Sequence, residues 1–427
     1  MLSASNFDNS LDQRLLRLDG ASVLAITKGT VLDGRGGRSL DTTVLIDGMR
    51  IKSVGPSATV QMPEGATVIE ARGLTVMPGL IDAHIHFMGS ELHDAQRSYW
   101  IPSAELKFVR AAHELYETLS AGITSARCLG HGPAEHTYAL RQAVEEGLIR
   151  GPRIFTSGWA LSQTRGHGDV EGMPYEWVEH DRPRSTFCDG PDECRIAVRR
   201  NFGEGADLIK IFTSENRTGS PNFTRAEIAA IVDEAHRRGK KVAAHAKTHD
   251  GVLAALDAGV DTIEHGPPAG LDDLAERIAH HGATLVPTLA AVHRVATEGA
   301  DWGLSPAAID RGQRELDGRL EFVCCALRAG ARVATGSDTA ARAGFGTLSV
   351  RELELLKGAG MSAMDAIVAA TGHAADALGI GAEVGTVATG QLADLLIVDG
   401  DPSQDIAVLQ DRRRIKRIIQ AADPLIY

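Results

Sequence analysis

Between residues 78 and 382 strand-like apolar runs alternate with longer segments of helical patterning, and this alternation restricts the possible folds more than any other feature of the chain. The runs are Leu80–His86, Thr124–Leu129, Arg153–Ser157, Leu208–Thr213, Lys241–Ala246, Thr262–His265, Thr284–Thr288 and Val333–Asp338. Parallel neighbours need a crossover of about a dozen residues or more, normally a helix, so strands spaced in this way are expected to run parallel. Eight such units can close a sheet on itself, and the spacing predicts a (β/α)8 barrel, the TIM-barrel class of α/β fold. Thr224-Arg225-Ala226-Glu227 reads as a capping box that opens one helix, in a segment ending at Gly239. The stretch from about 159 to 188 is too long for an ordinary connection and is expected to fold over the face that carries the chemistry.

The flanks have a different texture. Val23-Leu24-Ala25-Ile26, Thr43-Val44-Leu45-Ile46 and Ile51-Lys52-Ser53-Val54 are short pieces divided by Gly34-Arg35-Gly36-Gly37 and Asp47-Gly48, the pattern of a small antiparallel sheet with tight hairpins. Gly385-Thr386-Val387, residues 393–399 and residues 415–419 repeat it. The expected organisation is a barrel over 78–382 and a small β-sandwich-like domain built from both termini, residues 1–77 and 383–427. A formal charge of −12 disfavours nucleic acid and anionic membranes as partners, leaving a small-molecule enzyme or a scaffold. The five cysteines, Cys128, Cys188, Cys194, Cys324 and Cys325, are odd in number and lack C-x-x-C spacing, so neither a disulfide framework nor a zinc knuckle is expected and a reducing cytoplasm is the simplest location. Asp8, Asp12, Arg14 and Arg17 interrupt the apolar residues near the N-terminus, so no signal-peptide core is read there, and no run reaches membrane-spanning length.

In a barrel of this kind the chemistry collects where the strands end. His84 and His86 lie two apart on the first strand and project to one side, where two neutral imidazoles can share a metal ion. Lys210 lies on the fourth strand, His245 and His265 end the fifth and sixth, and Asp338 ends the eighth. Singly, each histidine also reads as a hydrogen-bonded structural group and Asp338 as a helix N-cap. Lys210 is harder to explain that way, because a lysine between Ile209 and Ile211 is desolvated and needs a partner. Six polar groups on one rim read as a functional set.

With Pro78-Gly79-Leu80-Ile81-Asp82-Ala83-His84-Ile85-His86, Leu208-Ile209-Lys210, Val242-Ala243-Ala244-His245-Ala246, Ile263-Glu264-His265-Gly266, Gly336-Ser337-Asp338-Thr339 and Gly390-Gln391-Leu392-Ala393-Asp394-Leu395, the chain resembles the binuclear-metal branch of the amidohydrolase superfamily, and within it the Xaa-Pro dipeptidase (prolidase)-like group. The resemblance implies two divalent metal ions. His84, His86 and Asp338 would hold the more buried one and His245 and His265 the other. Lys210 would be an N6-carboxylysine bridging them. Zinc suits four histidines with oxygen donors, although manganese, cobalt or iron can occupy the same geometry. A bridging hydroxide would attack the substrate, with Asp338 accepting its proton and passing it to the leaving nitrogen.

The expected activity is metal-dependent hydrolysis of an amide C–N bond, in dipeptides or N-acyl amino acids. The alternatives are a xenobiotic amide, urea or carbamate, such as an ochratoxin-type amide or a phenylurea, and a non-catalytic scaffold. A homo-oligomer is expected from the same resemblance. Two loops depart from the dipeptidase pattern: Thr164-Arg165-Gly166-His167 stands where relatives carry Thr-Gly-Gly-His, and Ser214-Glu215-Asn216-Arg217 where they carry Thr-Gly-Gly. Arg165 and Arg217 are read either as forks for a substrate carboxylate or as solvated loop cations. His167 is read as a contact to substrate or oxyanion, or as a hydrogen-bonding support behind the ligands. His131 and His136 are expected in loops, His280 and His281 on a helix surface, and Arg412-Arg413-Arg414 on a solvated face.

Overall fold

A computed structural model of the chain describes residues 10–18, 23–87, 103–130, 134–169, 185–215, 220–340 and 344–421. In chain order the strands are β1 (Leu15–Leu18), β2 (Val23–Leu32), β3 (Arg38–Asp47), β4 (Arg50–Pro56), β5 (Thr67–Glu70) and β6 (Thr75–Pro78), then β7 (Leu80–Ile85), β8 (Ile123–Cys128), β9 (Arg153–Thr156), β10 (Ala160–Ser162), β11 (Ser185–Phe187), β12 (Ile209–Phe212), β13 (Val242–Ala246), β14 (Thr262–His265), β15 (Thr284–Val286) and β16 (Arg332–Val333), and last β17 (Leu395–Val398) and β18 (Ile415–Ala421).

The middle strands form two all-parallel sheets, ordered β7-β8-β9 and β11-β10-β12-β13-β14-β15-β16. Helices fill the crossovers, and sequence signals start and stop them. The capping box at Thr224 opens Arg225–His236, Thr248 caps His249–Ala258, and Ser305 followed by Pro306 opens Pro306–Arg328. Because helices cover these parallel strands, β7, β8, β12, β13 and β14 are buried at every position, which is why the charged residues within them stand out.

The two sheets touch at both ends. Asp207 N–H donates to the Thr156 carbonyl at 2.8 Å beside β9. Ala83 N–H donates to Thr335 O at 2.9 Å and Asp338 N–H to His84 O at 2.7 Å, while Ile85 and Thr339 bridge in parallel. The run expected over Val333–Asp338 is regular only at Arg332–Val333. Past Thr335 the buried Asp82 carboxylate takes the Ser337 N–H at 3.1 Å, and Asp338 turns into the left-handed region at φ 51°. Gly336 is required here: a Cβ would lie 2.7 Å from the His84 Cβ and 2.5 Å from a Val286 methyl.

Four expectations are corrected. The stretch 159–188 is not irregular throughout, since its ends form β10 and β11, whose three residues each are too few for a periodic pattern; residues 170–184 lie outside the described residues. The terminal sheet, ordered β1-β18-β17-β6-β2-β3-β4 with β5 on β2, is mixed rather than antiparallel, because β5 and β6 return to β2 in parallel instead of by a hairpin. His136 sits half-buried on the helix Ala134–Glu145 rather than in a loop, and Arg412 is not a solvated charge, since it bonds Glu117 and Ser120 at 2.7 Å. His131 lies outside the described residues, while His280 and His281 are exposed on Asp272–His281, as expected.

Candidate metal centre

The strand ends bring the expected residues together. His86 Nε2 lies 3.1 Å and His84 Nε2 3.5 Å from Asp338 Oδ1, and one ligand atom from each of the three falls within 4.8 Å of the others. The His265 ring centroid is 4.9 Å from that of His84 and 4.5 Å from that of His245. Lys210 is buried on β12, with its Nζ 5.8 Å from the centroid of the Phe212 ring. His265, Thr288 and Asp338 all take left-handed backbone, at φ 73°, 51° and 51°. Each such residue costs about 1–3 kcal/mol and persists only where its surroundings enforce it, and all three stand where the chain leaves β14, β15 and the β16 segment.

Behind the ligands lies a buried chain that the sequence reading missed. Glu264 accepts from His84 Nδ1 at 2.7 Å and from Arg127 at 2.7 Å, and it also bonds Thr262. Arg127 in turn donates to the Ala83 carbonyl at 2.5 Å. The signal was present, because Glu264 beside Ile263 and Arg127 beside Ala126 are charges inside apolar strand runs, the argument that singled out Lys210. On the other side His265 Nδ1 meets Thr288 Oγ1 at 2.7 Å, which also accepts from Arg319 at 3.0 Å. Arg319 continues to Glu315, and Glu315 to Lys247. Glu352 accepts the Leu289 and Ala290 N–H groups at 3.0 and 2.7 Å, which anchors the turn after Thr288.

The six strand-end residues, with Lys247, Glu315 and Arg319, face one cavity of about 400 Å³. Its floor is His84, His86, Lys210, His245, His265 and Asp338, and its opposite wall comes from the helices Leu289–Glu298 and Pro306–Arg328. Burial dominates the electrostatics. It pulls His84 down to about 4, aided by the Lys210 charge and opposed by Asp338 and Glu264. It pushes His245 and His265 well below the ordinary imidazole value and brings Lys210 down to about 8. Burial alone would raise Glu264 and Asp338. For Glu264 the Arg127 charge and the His84 bond outweigh it, to about 2, and for Asp338 the protonated forms of His84 and His86 do so, with the Lys210 charge.

Compared with known proteins, residues 75–422 match the sequence model of the amidohydrolase family. The chain belongs to the amidohydrolase family. Over 422 residues this amidohydrolase is 30% identical to the ochratoxinase of Aspergillus niger, covering 94% of this chain and 86% of the relative. Among solved structures it is similar to a prolidase complexed with N-methylphosphonate-L-proline (33% identity, TM-score 0.83, covering 93% of this chain and 98% of that one). It is also similar to a Xaa-Pro dipeptidase with methionine bound in its active site (30% identity, TM-score 0.81, covering 91% and 97%). These likenesses agree with the prolidase-like group, and the chain is a hydrolytic enzyme of a family that is typically metal-dependent.

The donor set of this amidohydrolase fits a cation. His84 gives its Nδ1–H to Glu264, and His86 gives its Nδ1–H to the Gly130 carbonyl at 3.0 Å. Both Nε2 lone pairs then face the Asp338 anion, three acceptors converging with no proton between them. His245 Nε2 is buried without a hydrogen-bond partner among the described residues. Such an arrangement is costly without a positive ion at its centre. The buried imidazoles of His84, His245 and His265 also predict acid sensitivity. Unfolded histidine takes a proton below about pH 6.5, whereas folded His84 does so only near 4, so the unfolded state binds more protons between these values and stability falls as the pH drops through that window. The melting temperature of metal-depleted protein should therefore decline steadily from pH 6.5 toward 4, and a flat profile would contradict neutral burial.

The remaining candidates separate. His167 lines the cavity, its ring 4.3 Å from those of both Phe212 and His245. Arg165 instead pairs with Asp169 at 2.7 Å, with 58% of its side chain exposed, and it is not among the residues lining the cavity. Arg217 lies outside the described residues. No helix among the described residues is long and apolar enough to cross a membrane.

Proposed function

We propose that this amidohydrolase hydrolyses the amide bond of dipeptides or N-acyl amino acids. The observation that carries the reading is the convergence of His84, His86, Lys210, His245, His265 and Asp338 on the floor of one cavity of about 400 Å³, a size suited to a small ligand. His84, His86 and Asp338 would hold one divalent ion and His245 and His265 a second, zinc suiting this donor set. Lys210, its amine made less basic by burial, would add to carbon dioxide through Nζ and lose a proton, giving the carbamate anion of N6-carboxylysine as the remaining ligand. When bound, the ions supply Lewis acidity toward water and the scissile carbonyl. Asp338, a carboxylate beside the Nε2 atoms of His84 and His86, takes the proton of the attacking water and returns it to the leaving nitrogen. His167, stacked on Phe212, is positioned to donate to the carbonyl oxygen as charge develops there.

We read the two parallel sheets as one closed (β/α)8 barrel over 78–382, with 1–77 and 383–427 as a composite, sandwich-like domain. The free cysteines are compatible with the cytoplasm, and a homo-oligomer is the expected state. A second reading, a xenobiotic amide, urea or carbamate as substrate, is favoured by the 30% identity to an ochratoxinase. Hydrolysis of a panel of dipeptides, N-acyl amino acids, aryl ureas and carbamates by zinc-loaded protein separates the two, with intact mass read alongside for one added carbon dioxide. Turnover of peptides or acyl amino acids is expected; turnover confined to ureas or carbamates would move the function to the second reading.

A further inference from the structure

The cavity wall opposite the strand ends combines two properties. Ala291, Val292, Val295 and Ala308 make it apolar, and Gly312 lets its two helices approach so closely that a Cβ there would meet a Val295 methyl at 2.7 Å. Set into the same wall are Lys247, Arg319, Glu315 and Arg311. Lys247 and Arg319 both bond Glu315, and Arg319 is further pinned to the Pro287 and Thr288 carbonyls at 3.2 and 3.4 Å. Arg311 has no hydrogen-bond or ion-pair partner among the described residues. The nearby acid Asp310 contacts Arg314 at 3.8 Å instead. One carboxylate among three cations gives this set of wall residues an excess of two positive charges, and Arg311, uncommitted among the described residues, is exposed.

We infer that Arg311 is the specificity-determining residue of this site, binding a carboxylate on the amino-acid portion of the substrate, while the apolar side chain of that same amino acid lies against Val292, Val295 and Ala308. The inference rests on the proposed amide hydrolysis and narrows it to N-acyl or N-terminally extended apolar α-amino acids. A guanidinium fork matches a carboxylate in two parallel bonds, and an uncommitted one lining a cavity loses no existing pair on binding. The Lys247–Glu315–Arg319 cluster contributes background charge and holds the helix Pro306–Arg328 against Thr288 and so against His265. Arg165 drops out of this role because Asp169 already occupies it.

The test compares N-acetyl-L-leucine with N-acetyl-L-leucinamide, which differ only in that charge. Equilibrium binding of each is measured to the Asp338→Asn protein, with and without Arg311→Gln, and the KM of each to the enzyme carrying Asp338. Arg311→Gln should weaken carboxylate binding and raise its KM by about 10–100-fold, with a change in the amide ligand of less than about twofold. Arg311 is exposed on a helix, and glutamine preserves helix propensity, so the variant should fold. Equal binding of the two ligands, unchanged carboxylate affinity in Arg311→Gln, or no binding of either would overturn the assignment. Arg311-dependent binding without hydrolysis would instead sink the proposed reaction and leave the carboxylate site standing.

Discussion

Asp338→Asn should lower kcat by about 10²–10⁴-fold, the usual range for losing a positioned acid–base group. The amide is nearly the same size, so the left-handed turn at φ 51° and the Asp338 N–H to His84 carbonyl bond should survive. What changes is charge and basicity. Asparagine neither accepts a proton from water nor would balance a cation shared with the Nε2 atoms of His84 and His86. Metal content measured beside kcat separates the two contributions. Lost turnover with full metal content identifies proton transfer, and loss of both identifies Asp338 as an indispensable ligand. Activity within about tenfold of the parent enzyme would mean that the proton travels by another group.

Glu264→Gln should produce the largest change in stability. The carboxylate binds a buried arginine and a buried histidine, and removing its charge leaves Arg127 uncompensated, at a cost of about 3–5 kcal/mol. The same substitution removes the anion that orients His84 through Nδ1, so metal affinity should fall about 10–100-fold. Denaturant unfolding of metal-free protein reads the first effect and metal titration the second. The double variant Arg127→Met, Glu264→Leu, which replaces the pair with apolar volume, should recover much of the stability but none of the metal affinity. Recovery of both would show that Glu264 only neutralises Arg127 and does not position His84.

Much of the site was legible in the sequence, and the reason lies in burial. Strands covered by helices tolerate few polar residues, so His84, His86, Lys210, His245 and His265 stood out against their apolar neighbours, and the structure gathers them with Asp338 around one cavity. Glu264 and Arg127 carry the same signal of a charge within a buried strand, but only their pairing behind His84 in the folded chain ties them to the site. β10 and β11 were too short to show any period, and the short eighth strand reflects Asp82 capturing the Ser337 N–H, a contact between residues 255 positions apart.

The sequence by itself determined which polar side chains end the strands, a local matter of composition and two-residue periodicity; those residue types suit a cation, and the hydrolytic role followed from the family resemblance. Only the tertiary structure decided which charges remain available. Arg165, conspicuous in a loop beside the site, pairs with Asp169, whereas Arg311, one of many arginines on an amphipathic helix, lines the cavity without a partner among the described residues. Helix rotation and packing against the sheet set that difference, and local patterning does not encode them.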